Sequence, residues 1–265
     1  MELAVNGQTV FCATGGRAFD AGRRCIVFIH GAGMDHTCWS LPARWFAWHG
    51  WSVLVPDLPG HGRSVGTPLT TIADMAQWIG HLLDAARVGK AALVGHSMGG
   101  AIALEVAAAV PERISAIALL GTSASIPVSP ALLTTAQDKP DAAYAMMTAW
   151  AHGAAARIGG NPAPGIWMTG AARAVFARNA PGVLHNDLAA CAAWTSGTDA
   201  ARAVTCPALV MMGAGDVMTP VKRGSELAGL IRSSTTVVVD GCGHMIMSEA
   251  PDACLDALIE RLGQG

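Results

Sequence analysis

Ala91-Ala92-Leu93-Val94-Gly95-His96-Ser97-Met98-Gly99-Gly100-Ala101-Ile102-Ala103-Leu104 decides how the rest of this chain is read. Ala91–Val94 is a short apolar run suited to a buried strand, and the alanine-rich stretch from Gly100 to Ala109 suits a helix. A G-x-S-x-G turn between strand and helix lifts its serine onto a sharp, strained bend. Such a bend needs small neighbours, and Gly95 and Gly99 remove the Cβ atoms that would collide there. The pentapeptide alone is a common pattern. The strand before it and the helix after it make Ser97 a candidate nucleophile rather than a solvated turn serine.

Outward from this turn, strands and helices alternate. Cys25-Ile26-Val27-Phe28-Ile29 is a continuous apolar run, the mark of a strand buried on both faces of a mostly parallel sheet. Trp51–Val55, Ile114–Leu120, Pro207–Met212 and Thr235–Val239 read as further strands. Helices are expected over Leu41–His49 with Ser40 as N-cap, Thr71–Arg87, Pro220–Leu230 and Ala250–Leu262. Asn6-Gly7, between two apolar alternations, signals a hairpin. Alternating β and α with buried strands implies a doubly wound α/β sheet.

The rhythm breaks between Thr122 and Val204, where no strand is legible. Helical stretches near 131–137, 141–157, 165–178 and 183–194 are punctuated by Gly and Pro. A structureless loop of that length is improbable in a packed domain, so a helical insertion is expected. This divides the chain into a core of residues 1–121 and 205–265 and a helical cap of 122–204.

Composition removes several function classes. Of the 265 residues 52% are hydrophobic and 14% charged, and the net charge of −2 offers no basic field for nucleic acid. No apolar run reaches the roughly eighteen residues of a membrane span. Met1–Phe11 shows no secretory signal pattern, and a cytoplasmic location is expected. The seven cysteines are scattered with no C-x-x-C pair, which argues for free thiols over a disulfide framework or a structural zinc site.

A serine hydroxyl is a weak nucleophile at neutral pH. It needs a base within hydrogen-bond reach, and the base needs a partner that holds its tautomer. On an α/β sheet these groups belong on loops at the carboxyl ends of strands. Met211-Met212-Gly213-Ala214-Gly215-Asp216 places Asp216 just past one strand, and Val239-Asp240-Gly241-Cys242-Gly243-His244 places His244 past the next. His244 is the candidate base and Asp216 the candidate orienting acid. Asp240 competes for the second role, but it lies close to His244 in sequence. His36, His49, His81, His152 and His185 have no matching context and suit surface or satisfied polar roles. Backbone amides at glycine-rich turns can receive a developing oxyanion, each worth ~3 kcal/mol of transition-state stabilisation. Met98, after the serine, and Ala32, in His30-Gly31-Ala32-Gly33, are the candidates, with Gly33 as the alternative to Ala32.

The chain resembles the α/β-hydrolase superfamily through His30-Gly31-Ala32-Gly33, Pro56-Asp57-Leu58-Pro59-Gly60-His61-Gly62-Arg63-Ser64, Gly95–Gly100, Pro111-Glu112-Arg113-Ile114, Gly213–Asp216 and Gly243-His244. It looks most like the cofactor-free, lidded subgroup of carboxylesterases, enol-lactonases, perhydrolases and carbon–carbon hydrolases. The order Ser97, Asp216, His244 is that of the superfamily's triad. The resemblance implies an eight-stranded sheet with a cap between strands six and seven, and neither metal nor organic cofactor. After the first glycine-rich turn the chain continues Met34-Asp35-His36, which departs from the Gly-Pro-Gly usual in ring-cleavage-product hydrolases. The pattern also resembles esterases that cut a methyl ester on a carrier-bound acyl chain. A docking face for an acidic acyl-carrier protein would draw on Arg157, Arg173, Arg178 and Arg202, set against Asp187 and Asp199.

These readings converge on a serine hydrolase acting on carboxylic esters of small to medium apolar acyl groups, as monomer or homodimer. Trp39, Met147, Trp150 and Met245 are expected to bind the small-molecule substrate, while His61, Arg63 and Asp57 brace their loop. Carbon–carbon bond hydrolysis, lactone hydrolysis and perhydrolysis need the same three side chains and stand as alternatives. A ligand receptor on a hydrolase fold is the non-enzymatic one.

Overall fold

Every residue of the strands Cys25–Ile29, Ser52–Pro56 and Ala91–His96 is buried. Their largely apolar sequences demand cover on both faces, and the helices between them supply it. The computed structural model describes residues 1–160 and 167–263. In chain order the elements are β1 (Glu2–Val5), β2 (Gln8–Ala13), β3 (Cys25–Ile29), α1 (Ser40–Trp48), β4 (Ser52–Pro56), α2 (Ile72–Ala85), β5 (Ala91–His96), α3 (Met98–Ala109) and β6 (Ile114–Leu120). Then follow α4 (Pro130–Asp138), α5 (Pro140–Ala151), α6 (Ala154–Arg157), α7 (Met168–Arg178), α8 (Val183–Ala193) and α9 (Gly197–Ala203). The chain closes with β7 (Ala208–Gly213), α10 (Val221–Leu230), β8 (Ser234–Val239), α11 (Ile246–Glu249) and α12 (Pro251–Leu262).

The eight strands form one sheet in the order β1-β2-β4-β3-β5-β6-β7-β8. β1, β2 and β4 pair antiparallel, and β4 through β8 run parallel. The fold is the α/β-hydrolase fold, an eight-stranded, mostly parallel sheet with flanking helices. From β3 the chain steps outward to β4, then returns to the other side of β3 as β5. That reversal opens a crevice at the strands' carboxyl ends, where α/β sheets place their sites.

α3 is apolar all round and almost wholly buried, as a helix must be when it is covered on every side. Its small residues let neighbours approach closely. A Cβ on Gly100 would lie 2.6 Å from the Thr122 side chain.

Local differences from the sequence reading have identifiable causes. Ser40 is not an N-cap. A short 3₁₀ turn over His36–Trp39 precedes α1, and Asp35 caps that turn by accepting the Thr37 amide. The helix expected over 141–157 breaks into α5 and α6 at His152 and Gly153, whose amide is taken by Glu249 Oε2 at 2.7 Å. The first residues of the 165–178 stretch lie outside the described residues. α9, not anticipated at all, packs on α3 and α10. The segment read as cap thus ends in a helix that belongs physically to the core layer.

All seven cysteines are free. Burial pushes the Cys12, Cys25, Cys242 and Cys254 thiols up to about 12, so they behave as small apolar fillers. No helix among the described residues is long and apolar enough to cross a membrane.

Candidate active site

Ser97 stands between β5 and α3 with φ 53° and ψ −117°, a left-handed conformation that a non-glycine residue rarely adopts. Such a residue stores on the order of 1–3 kcal/mol of strain, which its surroundings must offset. The surroundings admit no alternative. A Cβ on Gly95 would fall 2.1 Å from the Gly99 carbonyl oxygen, and one on Gly99 would fall 2.2 Å from that of Ile29. The Ser97 amide is held by the Leu120 carbonyl at 2.9 Å, tying the bend to β6.

His244 follows β8 and is 3% exposed, and its Nδ1–H donates to Asp216 Oδ2 at 2.7 Å. Asp216 follows β7, and its Oδ1 accepts the Met218 and Thr219 amides at 2.8 Å each. With Nδ1 donating to a carboxylate, neutral His244 keeps its lone pair on Nε2. Asp240 is exposed and takes no part in this pairing. Ser97 and His244 line one cavity of about 420 Å³ with no direct hydrogen bond between their side chains. Such bonds commonly tighten only when substrate arrives.

The backbone around His244 is held from two directions. Ala151 at the end of α5 accepts the His244 and Met245 amides at 2.9 and 3.1 Å. Buried Glu249 accepts the amides of Gly153 and Gly243 on Oε2 at 2.7 and 3.1 Å, and that of Met245 on Oε1 at 3.1 Å. His96, next to Ser97, donates its Nε2–H to the His244 carbonyl at 3.0 Å. Burial, reinforced by the neighbouring His244 ring, holds His96 well below the usual histidine range, so it is a neutral donor.

Ala32 lines the same cavity, and Met98 is the first residue of α3. Neither amide has a partner among the hydrogen bonds of the described residues, which leaves both free to receive an anion. The turn carrying Ala32 lies against the serine. A Cβ on Gly31 would come within 3.4 Å of Ser97 Cβ, and Gly33 takes φ +66°.

The expected substrate-binding residues divide. Met147 and Trp150 from α5 line the cavity. Trp39 does not: it is fully buried, its ring packed on Phe28 at 5.3 Å between centroids. The 3₁₀ turn rotates it into the core even though it follows the glycine-rich turn closely in sequence. Met245 points into a separate apolar pocket beside Met34 and Met168. Sequence reading missed Ile126, Pro127, Val128 and Leu132 ahead of and on α4, Leu188 and Cys191 on α8, and Val217–Thr219. No motif marks them. Apolar residues on short helices look alike whether they face a cavity or a core.

Of the three residues expected to brace the loop after β4, Arg63 and Asp57 bond to each other, and His61 bonds instead to Pro59 and Asp187. His36, not expected in this role, joins Asp57. Asp57 accepts the His36 and Arg63 amides and His36 Nδ1–H. Burial alone would raise the Asp57 carboxyl, but these bonds outweigh it and hold it low. The arginines considered for carrier docking are mostly engaged within the chain. Arg178 pairs with Asp35, Arg202 with Asp199 at 3.8 Å, and Arg157 donates to the His152 carbonyl. Asp187, counted with the cap's surface charges, is fully buried.

Among curated proteins, a 100-residue stretch is 37% identical to the dihydrolipoyllysine-residue acetyltransferase component of the acetoin cleaving system of Cupriavidus necator. That match covers 37% of this chain and only 26% of the relative's length. The (E)-2-((N-methylformamido)methylene)succinate hydrolase of Acinetobacter baylyi is 22% identical over 240 residues, 88% of each chain. Among solved structures, the enol-lactonase of Burkholderia xenovorans LB400 superposes over 100% of both chains with a TM-score of 0.88 and 25% identity. A thermophilic esterase superposes over 100% of this chain and 97% of its own, with a TM-score of 0.83 and 28% identity. The family model for the alpha/beta hydrolase family matches residues 26–257, most of the chain, and this protein belongs to that family.

Proposed function

We propose that this hydrolase cleaves carboxylic esters of uncharged, apolar acyl groups through an acyl-enzyme on Ser97. The cavity carries the reading. Beside Ser97 and His244 it is lined by Ile126, Leu132, Met147, Trp150, Leu188 and Val217, and among the described residues no lysine, arginine, aspartate or glutamate lines it. An anionic acyl group there would lose its hydration with no cation to replace it. The likeness to an esterase at 28% identity supports the same reaction class.

In this reading Ser97 Oγ attacks the ester carbonyl carbon while His244 Nε2 takes the hydroxyl proton. Asp216 holds the resulting imidazolium through Nδ1–H. The carbonyl oxygen becomes an oxyanion facing the Ala32 and Met98 amides. The carbon–alkoxide bond breaks, and His244 returns the proton to the leaving alcohol. A water molecule, deprotonated by His244, then attacks the acyl-enzyme and releases the carboxylic acid and free Ser97.

The test is a p-nitrophenyl ester series with active-site titration. A serine-directed organophosphate should label the wild type and spare Ser97→Ala, and the variant should lose ester turnover by about a thousandfold or more. The butyrate ester should be cleaved far faster than the hemisuccinate. Val217 is 61% exposed at the rim, and Val217→Arg should narrow that gap. Equal labelling of wild type and variant overturns the mechanism. The enol-lactonase likeness makes ring opening of a lactone the second reading, marked by lactone turnover with silent p-nitrophenyl esters.

A further inference from the structure

Asp187 sits on α8, in the inserted helices, and is fully buried. Its Oδ2 accepts two bonds at 2.8 Å. One comes from the amide of Gly33, next to Ala32, and the other from His61 Nε2, on the loop after β4. His61 Nδ1 also donates, to the Pro59 carbonyl at 3.1 Å. A ring that donates from both nitrogens is an imidazolium, so His61 and Asp187 form a buried ion pair. Burial alone would lower His61, but the charge and hydrogen bond of Asp187 outweigh it and raise its pKa.

Other contacts hold the same turn from the same side. Asn179, just past α7, donates from Nδ2 to the Gly33 carbonyl at 2.6 Å, and its Oδ1 accepts the Gly62 amide at 2.9 Å. Gly33 is packed so tightly under the inserted helices that a Cβ there would lie 2.9 Å from both Leu184 and Phe176. Both polar ends of the Gly33 residue are therefore taken by side chains more than a hundred residues downstream, one on α8 and one just past α7. The neighbouring Ala32 amide is left free toward the cavity.

We propose that Asp187 is a positioning residue for the oxyanion donor. By holding the Gly33 amide it fixes the plane of the turn and so the direction of the Ala32 N–H. The helices that shape the substrate cavity thereby also set the transition-state donor. This rests on the ester-hydrolase reading above, in which the Ala32 amide meets the oxyanion.

The experiment compares wild type, Asp187→Asn, Asp187→Leu and Asn179→Ala on p-nitrophenyl butyrate. It also measures inhibition by an alkyl trifluoromethyl ketone, which adds to the serine and forms an oxyanion at the same place. Asparagine keeps an acceptor oxygen for the Gly33 amide, and leucine keeps only the volume. Asp187→Asn should stay within a few-fold of wild type. Asp187→Leu should lower kcat by roughly tenfold or more with KM little changed, and the ketone's inhibition constant should rise by the factor by which kcat/KM falls. Asn179→Ala removes the bond to the other end of the residue from a half-buried site, and should show the same proportionality if Asp187→Leu does not fold. Folded variants with wild-type kcat, or a loss confined to KM, overturn the proposal. Absence of Ser97-dependent turnover in the wild type overturns the ester reading and this proposal together, whereas an active wild type indistinguishable from Asp187→Leu overturns this proposal alone.

Discussion

The carbonyl of His244 accepts a hydrogen bond from His96 Nε2 at 3.0 Å, so the residue before the proposed nucleophile holds the backbone of its proposed base. Their rings lie 4.7 Å apart between centroids. His96 Nδ1 is buried without a partner, which fixes the tautomer with the proton on Nε2. His96→Ala removes this tie and opens a cavity. Stability should fall by about 1–3 kcal/mol from the unpaired buried carbonyl, and kcat on p-nitrophenyl butyrate should fall with it. Thermal denaturation and steady-state kinetics read the two effects, and unchanged kcat in a destabilised variant would show that the tie is structural only.

Asp216→Asn separates the two competing carboxylates. Asparagine can still accept the Met218 and Thr219 amides through its oxygen, so the loop should stay folded. Its NH₂ would then face His244 Nδ1 and force the proton onto Nε2, the nitrogen that must accept from Ser97. A tautomer error of this kind costs roughly 10⁴ in kcat. Asp240→Asn, on an exposed residue, should leave kcat at the wild-type level. Similar losses in both variants would reject the assignment.

Glu249 accepts three backbone amides, one from the inserted helices and two from the His244 loop. Glu249→Gln replaces one acceptor oxygen with a donor that faces an N–H. Each buried amide left unpaired costs about 1–3 kcal/mol, so a Tm loss of several degrees is expected. Because the bonds join α6 to the loop carrying His244, kcat should fall as well. A Tm equal to wild type would contradict the network.

Two histidine populations give stability opposite pH dependences in separate windows. Burial lowers His30 to about 4, with a further push from neighbouring His61, and burial likewise holds His96 well below the usual histidine range. Below the ordinary histidine value of 6.5 the unfolded chain binds protons that these buried rings refuse. Stability therefore falls as pH drops from about 6.5 toward 4, and by pH 5 His30 alone accounts for on the order of 2 kcal/mol. His61 is raised, so its contribution is complete below its unfolded value and is lost as pH climbs through its folded one. His30→Gln should flatten the acid limb of a Tm-against-pH curve and leave the alkaline limb intact. His61→Gln should flatten the alkaline limb. An acid limb unchanged in His30→Gln would refute the first half.

Residues 91–100 could be read without tertiary information because their geometry is local. The glycines on either side of Ser97 are required by contacts within one bend and the strand beside it, and a strand-to-helix change is visible as a change in residue pattern. The same holds for the buried strands, whose largely apolar runs announce cover on both faces. His244 and Asp216 were legible as candidates because loops at strand ends are where a parallel sheet puts polar residues. Sequence spacing already favours Asp216 over Asp240, and the tertiary structure adds the contact itself, bringing the Asp216 carboxylate to His244 Nδ1.

The failures share one cause. Trp39 neighbours the Ala32 turn in sequence, but a 3₁₀ turn rotates it into the core. α9 carries too little apolar periodicity to be seen, and its place is set by the face of α3 that it covers. Asp187 reads as a helix charge in solvent, and its partners Gly33 and His61 lie 154 and 126 residues away. Sequence patterns report forces between near neighbours, which settle strand, turn and helix. The cavity's lining and the bonds that orient Ala32 and His244 come from packing between distant segments, and packing exists only once the chain has closed on itself.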